Sequence, residues 1–397
     1  LQLQQTMTTT KNPYKGLPFK QTGVSVDDAK RRIADERSGE QHGLYCRYSP
    51  LNIAMLKYWR FRHVTLIAGS SGSGKSYFLN MLRQDFLDTV DIVYQNIAAF
   101  TLNEHEAQPV IFDPDTLRAG RPTEHELELA NALYYPSARL VKHDGRLIHK
   151  AINKGCKHKV INVHFGYEMD AADELLRATA TTIGKSYGYL MSSEYDKNTK
   201  KYLQITDVES ASCNEVLDSL RSRKEFYIAT SGNLRQLYWT VEFIANKYPG
   251  YKLCISIDHT LLSAKLGEKS DNELQAATAR TCIDLRTDFD AMVIPVGQLN
   301  QNIERDERIL KPAMHYPGKN DIHCGASLWW ACDNVLINHR PERLNIRHYG
   351  PDKLNTSHLI HGAMIKSRKG REANMWFREN FANGRILNAT RQSFKTG

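Results

Sequence analysis

His63 to Leu82 reads HVTLIAGSSGSGKSYFLNML, and this stretch decides the fold. Val64-Thr-Leu-Ile67 is a short apolar, β-prone run, which predicts a buried strand. Gly69-Ser70-Ser71-Gly72-Ser73-Gly74-Lys75-Ser76 fits G-x-x-x-x-G-K-[ST], the phosphate-binding P-loop. Phe78, Leu79, Leu82 and Phe86 recur at helical spacing, so a helix opens behind Tyr77 as the loop closes. The glycines let the backbone curl with its N–H groups inward, and the helix N-terminus adds its positive end. Lys75 can reach the β- and γ-phosphates, and the Ser76 hydroxyl can hold Mg²⁺. Residues 69–77 are therefore the expected binding segment, with ATP and Mg²⁺ as its ligands. A bare Gly/Ser turn has the same letters but lacks the flanking strand and helix.

The 397 residues suffice for one large α/β domain or two modest ones. Lys and Arg outnumber Asp and Glu, 53 to 44, a formal +9 that suits an acidic partner such as nucleic acid. Seven cysteines at wide spacing, with no C-x-x-C pair, argue against a disulfide framework and a zinc site. No signal peptide is evident and no apolar run is long enough to span a bilayer, so no membrane partner is expected. A cytoplasmic protein is expected, and Met7 is a candidate start.

Outward from the P-loop, strands alternate with helices. Strands are expected at Asp91–Tyr94, His158–Phe165, Glu225–Ala229, Leu253–Ile257, Ala291–Val296, Asn334–Asn338 and Gly362–Ile365. Helices are expected after Met169, over Leu234–Tyr248 and over Glu273–Asp288. Such alternation implies a mainly parallel sheet covered on both faces. Between Phe100 and Lys159, Glu124–Tyr135 looks helical. Lys142, Arg146, Lys150 and Lys154 fall four apart, which on a helix would make one solvated basic face. Near the N-terminus, Ser25-Val-Asp-Asp28 suggests a capping box for a helix over Asp28–Arg37, with Gly39 just past its end. Its stripe of Val26, Ala29 and Ile33 is narrow, which favours docking on another surface.

Hydrolysis needs more than a P-loop: a carboxylate to hold the metal and a group to polarise water. Asp258 closes an apolar strand and is the natural metal ligand beside Ser76. Glu168, just past another strand, is a candidate catalytic base, and Gln298, past a third, a candidate γ-phosphate sensor.

The order of these segments resembles the RecA-like domain of DnaB-type replicative helicases. The resemblance runs from about Gly43 to Ile386, leaving out 100–159, which looks like an insertion. Val163-His-Phe-Gly-Tyr-Glu168-Met169 is similar to the family's catalytic-glutamate segment, and Ser256-Ile-Asp258-His-Thr-Leu261 to its Walker B strand. Val293–Arg305, VIPVGQLNQNIER, resembles the sensor segment, and Ile365-Lys366-Ser-Arg368-Lys-Gly370 the K-x-R-x-G finger. Asp321–Arg340 matches the stretch that includes a DNA-contacting loop, with His323-Cys324-Gly325-Ala326 in place of the family's Arg-Glu-Ser-Gly.

The resemblance implies a RecA-like P-loop NTPase fold over residues 46–397, with a short N-terminal linker helix within residues 1–45. It implies a homo-oligomeric, hexameric ring moving on single-stranded DNA by ATP hydrolysis, with Lys75, Glu168, Gln298, Lys366 and Arg368 catalytic. A loader or primase is an expected partner. Only some 45 residues stand where the family has a large helical N-terminal domain, as in a short phage- or mobile-element-like form. The alternatives are a filament-forming RecA- or RadA-type recombinase and a nucleotide-dependent assembly switch.

Overall fold

The structure, a computed structural model, describes residues 22–89, 92–94, 140–143, 146–149, 151–183, 185–221 and 223–395. The chain divides into two compact units, Leu1–Gln41 and His42–Gly397. The first carries helix α1, Thr22–Arg37. It starts earlier than Asp28, so the expected capping box is corrected: Ser25 lies inside the helix. Asp28 instead pairs with Arg31 at 2.7 Å, one turn on. Gly39 follows the helix with φ +78°.

The second unit opens with α2 Ser49–Ala54, β1 Thr65–Gly69, α3 Lys75–Phe86, β2 Ile92–Tyr94, β3 Leu140–His143 and β4 Arg146–His149. Next come β5 Val160–Gly166, α4 Ala171–Ile183, α5 Tyr187–Leu190, β6 Tyr195–Asp196, β7 Lys201–Tyr202, α6 Asp207–Leu220, β8 Glu225–Ile228 and α7 Leu234–Lys247. Then follow β9 Lys252–Asp258, α8 Asp271–Asp288, β10 Met292–Gln298, α9 Asp306–Leu310, α10 Ala326–Ala331 and β11 Asn334–His339. The chain ends with β12 His348–Tyr349, β13 Leu354–Asn355, β14 Leu359–Ser367, β15 Ala373–Asn380 and β16 Arg385–Ala389.

Nine strands form one sheet in the order β16-β15-β14-β11-β1-β10-β9-β5-β8. From β11 to β8 all neighbours run parallel, while β14, β15 and β16 add an antiparallel edge. β1 and β5 are buried at every residue, which explains their continuous apolar letters: helices cover both faces. On one face Phe78, Leu79 and Leu82 of α3 pack with Ile67, Ile294 and Leu336. On the other, α7, α8 and α10 contribute Val241, Cys282 and Leu328 against Leu66, Val163 and Ile255. Cys254 is a core residue, as its strand suggested.

Two readings change. Lys142 and Arg146 do not share a helix face, because Leu140–His143 and Arg146–His149 pair as an antiparallel hairpin, which β2 joins. The Asp144-Gly145 dipeptide between two alternating runs is a hairpin signature, which outweighed a four-residue charge spacing. Glu124–Tyr135 and most of the 100–159 segment lie outside the described residues. β15, β16 and α6 were not expected at all; α6 starts at a capping box in which Thr206 and Glu209 bond each other's backbone N–H.

Helix α3 is held by buried charge. Arg83 bonds Glu174 of α4 at 3.1 Å, Glu225 of β8 at 3.2 Å and the Tyr227 hydroxyl at 2.9 Å. Asp85 takes the Arg47 guanidinium at 2.9 Å. These pairs lock the helix behind the P-loop to three other elements.

β11 ends on His339, which pairs in register with His361 of β14, and both are fully buried. Burial pushes their pKa values down to about 3 and about 4. His361 bonds the Tyr349 hydroxyl and Asn374, whereas neither ring nitrogen of His339 has a hydrogen-bond partner. A depressed folded pKa means that the folded chain binds fewer protons than the unfolded one. The stability is therefore complete above about pH 6.5 and lost as pH falls toward 4, at about 1.4 kcal/mol per unit for each such histidine. His339→Phe should keep more of its pH 7.5 stability at pH 5 than the native chain does. Equal losses in urea melts of the two proteins would show that His339 is not the acid-sensitive group.

Candidate nucleotide site

The parallel register delivers the site. Gly69 of β1 pairs with Gln298 of β10, and Gly166 of β5 pairs with Asp258 of β9. Four adjacent strands thus end on one sheet edge, where loops lie free of the ladder. Around that edge a cleft of about 360 Å³ is lined by Ser71, Gly72, Gly74, Lys75, Ser76, Tyr77, Glu168, Asp258 and Gln298. These residues were all named from the sequence. Of the remaining P-loop positions, Gly69 ends β1, Ser70 supplies a carbonyl, and Ser73 is buried beneath Gly69.

The loop's shape depends on glycine. Gly74 has φ +88°, and a β-carbon there would sit 2.9 Å from Phe381 Cζ. At Gly69 a β-carbon would meet the Asn338 carbonyl oxygen at 2.5 Å. The Lys75 ammonium donates to the Ser70 carbonyl at 2.8 Å, spanning the loop it closes. Burial lowers its pKa, with Asp258 and Glu168 acting the other way. Burial pushes Asp258 up to about 6, against the hydrogen bond from Ser76, while Glu168 adds to the rise. The Tyr167 N–H donates to the Asp258 carbonyl at 2.9 Å, which ties the turn bearing Glu168 to the end of β9.

Four lining residues were not found from the sequence: Arg177, Arg340, Arg343 and Phe381. Phe381 stacks on Tyr77 with ring centroids 4.9 Å apart, and Arg340 lies 5.2 Å from the Phe381 ring. Arg177 lies 5.4 Å from the Tyr77 ring. A β-carbon on Gly72 would be 3.2 Å from Arg343 Nη2, so that guanidinium rests directly on the loop. Arg340 and Arg343 follow β11, whose place beside β1 no local pattern declares. The cleft thus has an oxygen-rich side, a cationic side and an aromatic wall.

The other sequence-derived residues lie elsewhere. His323, Cys324 and Gly325 form the turn before α10, which Ala326 opens, and the His323 N–H donates to the Gln298 carbonyl at 2.9 Å. Lys366 pairs with Val335 at the start of β11, whereas Gly69 pairs with Asn338 near its end. Three residues of strand separate those levels, roughly 10 Å. Lys366 and Arg368 do not alternate on one strand face as expected: a bulge falls between Val335 and Leu336, and β14 ends at Ser367. Both cations nevertheless turn to the end of α10. Lys366 bonds the Trp329 carbonyl, and Arg368 bonds the Trp330 carbonyl at 3.0 Å and Asp333 at 3.3 Å.

No protein-family model and no curated protein matches the chain. Solved structures do. The ATPase domain of a phage helicase is similar over 92% of this chain and 99% of its own, with TM-score 0.60 at 14% identity. A DnaB-like replicative helicase, solved together with its interactions with primase, is similar over 94% of this chain and 67% of its own, with TM-score 0.61 at 13% identity. No helix among the described residues is long and apolar enough to cross a membrane.

Gly74→Ala should lower stability by about 1–2 kcal/mol, the cost of a left-handed alanine. It should also weaken nucleotide binding, because Phe381 must move. Native-like urea melting together with native-like nucleotide affinity would show that the loop does not need this conformation. The likeness in fold closes the argument from geometry: the chain has the RecA-like P-loop fold of the DnaB-type helicase ATPase domains.

Proposed function

We propose that the chain is an ATP-driven DNA helicase of the DnaB type, acting in the cytoplasm as a homo-oligomeric, hexameric ring on single-stranded DNA. The observation that carries this reading is the meeting of Lys75, Ser76, Glu168, Asp258 and Gln298 in one cleft at the P-loop. Residues 1–45 are read as a linker segment and 46–397 as the ATPase domain with an insertion at about 100–159. A loader or primase belongs to the same proposal.

The Ser76 hydroxyl and the Asp258 carboxylate, already hydrogen-bonded, are the hard oxygen pair that suits Mg²⁺. The metal, when bound, neutralises charge on the phosphates. The P-loop N–H groups and Lys75 would hold the phosphates in line. Glu168 is exposed and can accept a proton from an attacking water; Gln298 can report the γ-phosphate through its amide. Tyr77, Phe381 and Arg340 offer a flat face for a base. The tie from Gln298 to His323 gives the cleft a direct backbone link to the proposed DNA loop, His323–Ala326.

Lys366 and Arg368 sit at the other end of the sheet from the P-loop, so they serve a nucleotide only if it belongs to another copy. This supports a trans finger and an interfacial site. Lys75→Ala should abolish hydrolysis with an unchanged circular dichroism spectrum. Glu168→Gln should bind ATP and fail to hydrolyse it. Normal turnover in either would refute the assigned role. Arg368→Ala should bind ATP, assemble, and lose turnover by a factor on the order of 10³–10⁵. Mixing it with Lys75→Ala should restore part of the activity, and full-rate hydrolysis by a monomer would rule out the trans arrangement. Single-stranded DNA should bind with strong salt dependence. Closed rings rather than filaments by electron microscopy would exclude the recombinase reading.

A further inference from the structure

The end of α10 carries a second feature, beyond the two finger cations. Trp330 is 69% exposed at the C-terminal end of that helix. The Lys319 ammonium lies 5.1 Å from its ring and 5.3 Å from that of Trp329, and Lys366 lies 5.1 Å from Trp329. Arg368 is tied to the Trp330 carbonyl. Two adjacent indoles, one of them exposed, are therefore flanked by three cations. The carboxylate beneath them, Asp333, is shared between Arg286 and Arg368. An apolar ring held among cations on an exposed surface suits an anionic partner with a flat or apolar component.

We infer that this patch is the receiving face for a second copy of the chain, with Trp330 as its anchor and Lys319 as a further interfacial cation. The inference rests on the trans-finger reading above and extends it to residues that reading does not use. The complementary surface is present on the same chain. Glu168 and Asp170 are exposed at the cleft mouth, and Asp173 follows in the first turn of α4. Bound phosphates would add to that negative rim. The patch is anchored by Lys366 to the start of β11, while the rim lies at the opposite sheet edge. Two such faces on one chain cannot meet each other, but they can meet head to tail between copies, and a head-to-tail contact closes into a ring. Trp330 supplies what the cations lack: desolvated contact area, of the kind that dominates interface energetics.

The experiment is assembly and turnover against concentration for the full chain, its Trp330→Ala and Trp330→Phe variants, and Lys319→Ala. Sedimentation velocity in Mg²⁺ and ATP, with ATPase on the same dilutions, gives the readout. Trp330→Ala should raise the concentration needed for assembly by about tenfold or more. Its per-subunit turnover should fall at the same shifted concentration. Trp330→Phe should recover much of the assembly, and Lys319→Ala should show a smaller shift that shrinks at high salt. Binding of ATP by the isolated subunit should stay unchanged, because its own cleft is at the other sheet edge. If the native chain assembles and Trp330→Ala assembles identically, this inference falls and the trans finger stands. A native chain that hydrolyses ATP at full rate as a monomer overturns both. Unchanged assembly with lost binding of single-stranded DNA would assign the patch to nucleic acid and overturn the second-copy proposal.

Discussion

Everything at the nucleotide cleft depends on the level at which the parallel strands finish. Hydrogen bonding between β1 and β10 sets Gly69 against Gln298, and bonding between β5 and β9 sets Gly166 against Asp258. A slip of one residue in either pairing would turn a site side chain to the other face of the sheet. The register is protected by burial: β1 and β5 have no exposed residue, so a slipped strand would lose both apolar faces at once. The site's accuracy is therefore inherited from the core, and none of the loops that carry Lys75, Glu168 or Gln298 has to fix its own position.

The P-loop makes a second demand, since its helix must not move relative to the sheet. Arg83 answers it by joining α3 to Glu174 on α4 and to Glu225 and Tyr227 on β8. Buried pairs of this sort contribute little net stability against an apolar replacement. Their effect is geometric: a planar guanidinium fixes the angle and depth of three elements together. Glu174 lies on the helix that follows Glu168, so the same network steadies the turn that carries the proposed base. The Arg47–Asp85 pair does likewise for the segment that precedes β1.

Much of this was legible in the letters. Strand–loop–helix context marked the P-loop, and apolar runs ending in Glu168, Asp258 and Gln298 marked the other strand ends. What stayed hidden was whatever depended on sheet order. Arg340 and Arg343 line the cleft because β11 lies beside β1, and Phe381 because the antiparallel edge folds back over Gly74. Nothing near those residues announces such neighbours. The β3–β4 hairpin was missed for a different reason: Lys and Arg at four-residue spacing imitate a helix, while Asp144-Gly145 carries the stronger local signal. The finger pair was found by order and placed on the wrong geometry, since only a structure reveals the bulge that puts Arg368 beyond the strand.

The distribution of cations follows from the same architecture. Lys75, Arg177, Arg340 and Arg343 stand at the P-loop edge, where a chain can place charge beside its own nucleotide. Lys366, Arg368 and Lys319 gather at the end of α10, and own-chain contacts occupy the first two. A cation already bonded to backbone carbonyls and Asp333 is held in place without being neutralised, so its field still reaches outward. On the proposed reading this is the arrangement a ring requires. The cis cations bind nucleotide in any copy, whether assembled or not. The pre-set trans cations add their charge only when a neighbour arrives, so hydrolysis waits for assembly, because no single chain can bring both sets to one phosphate.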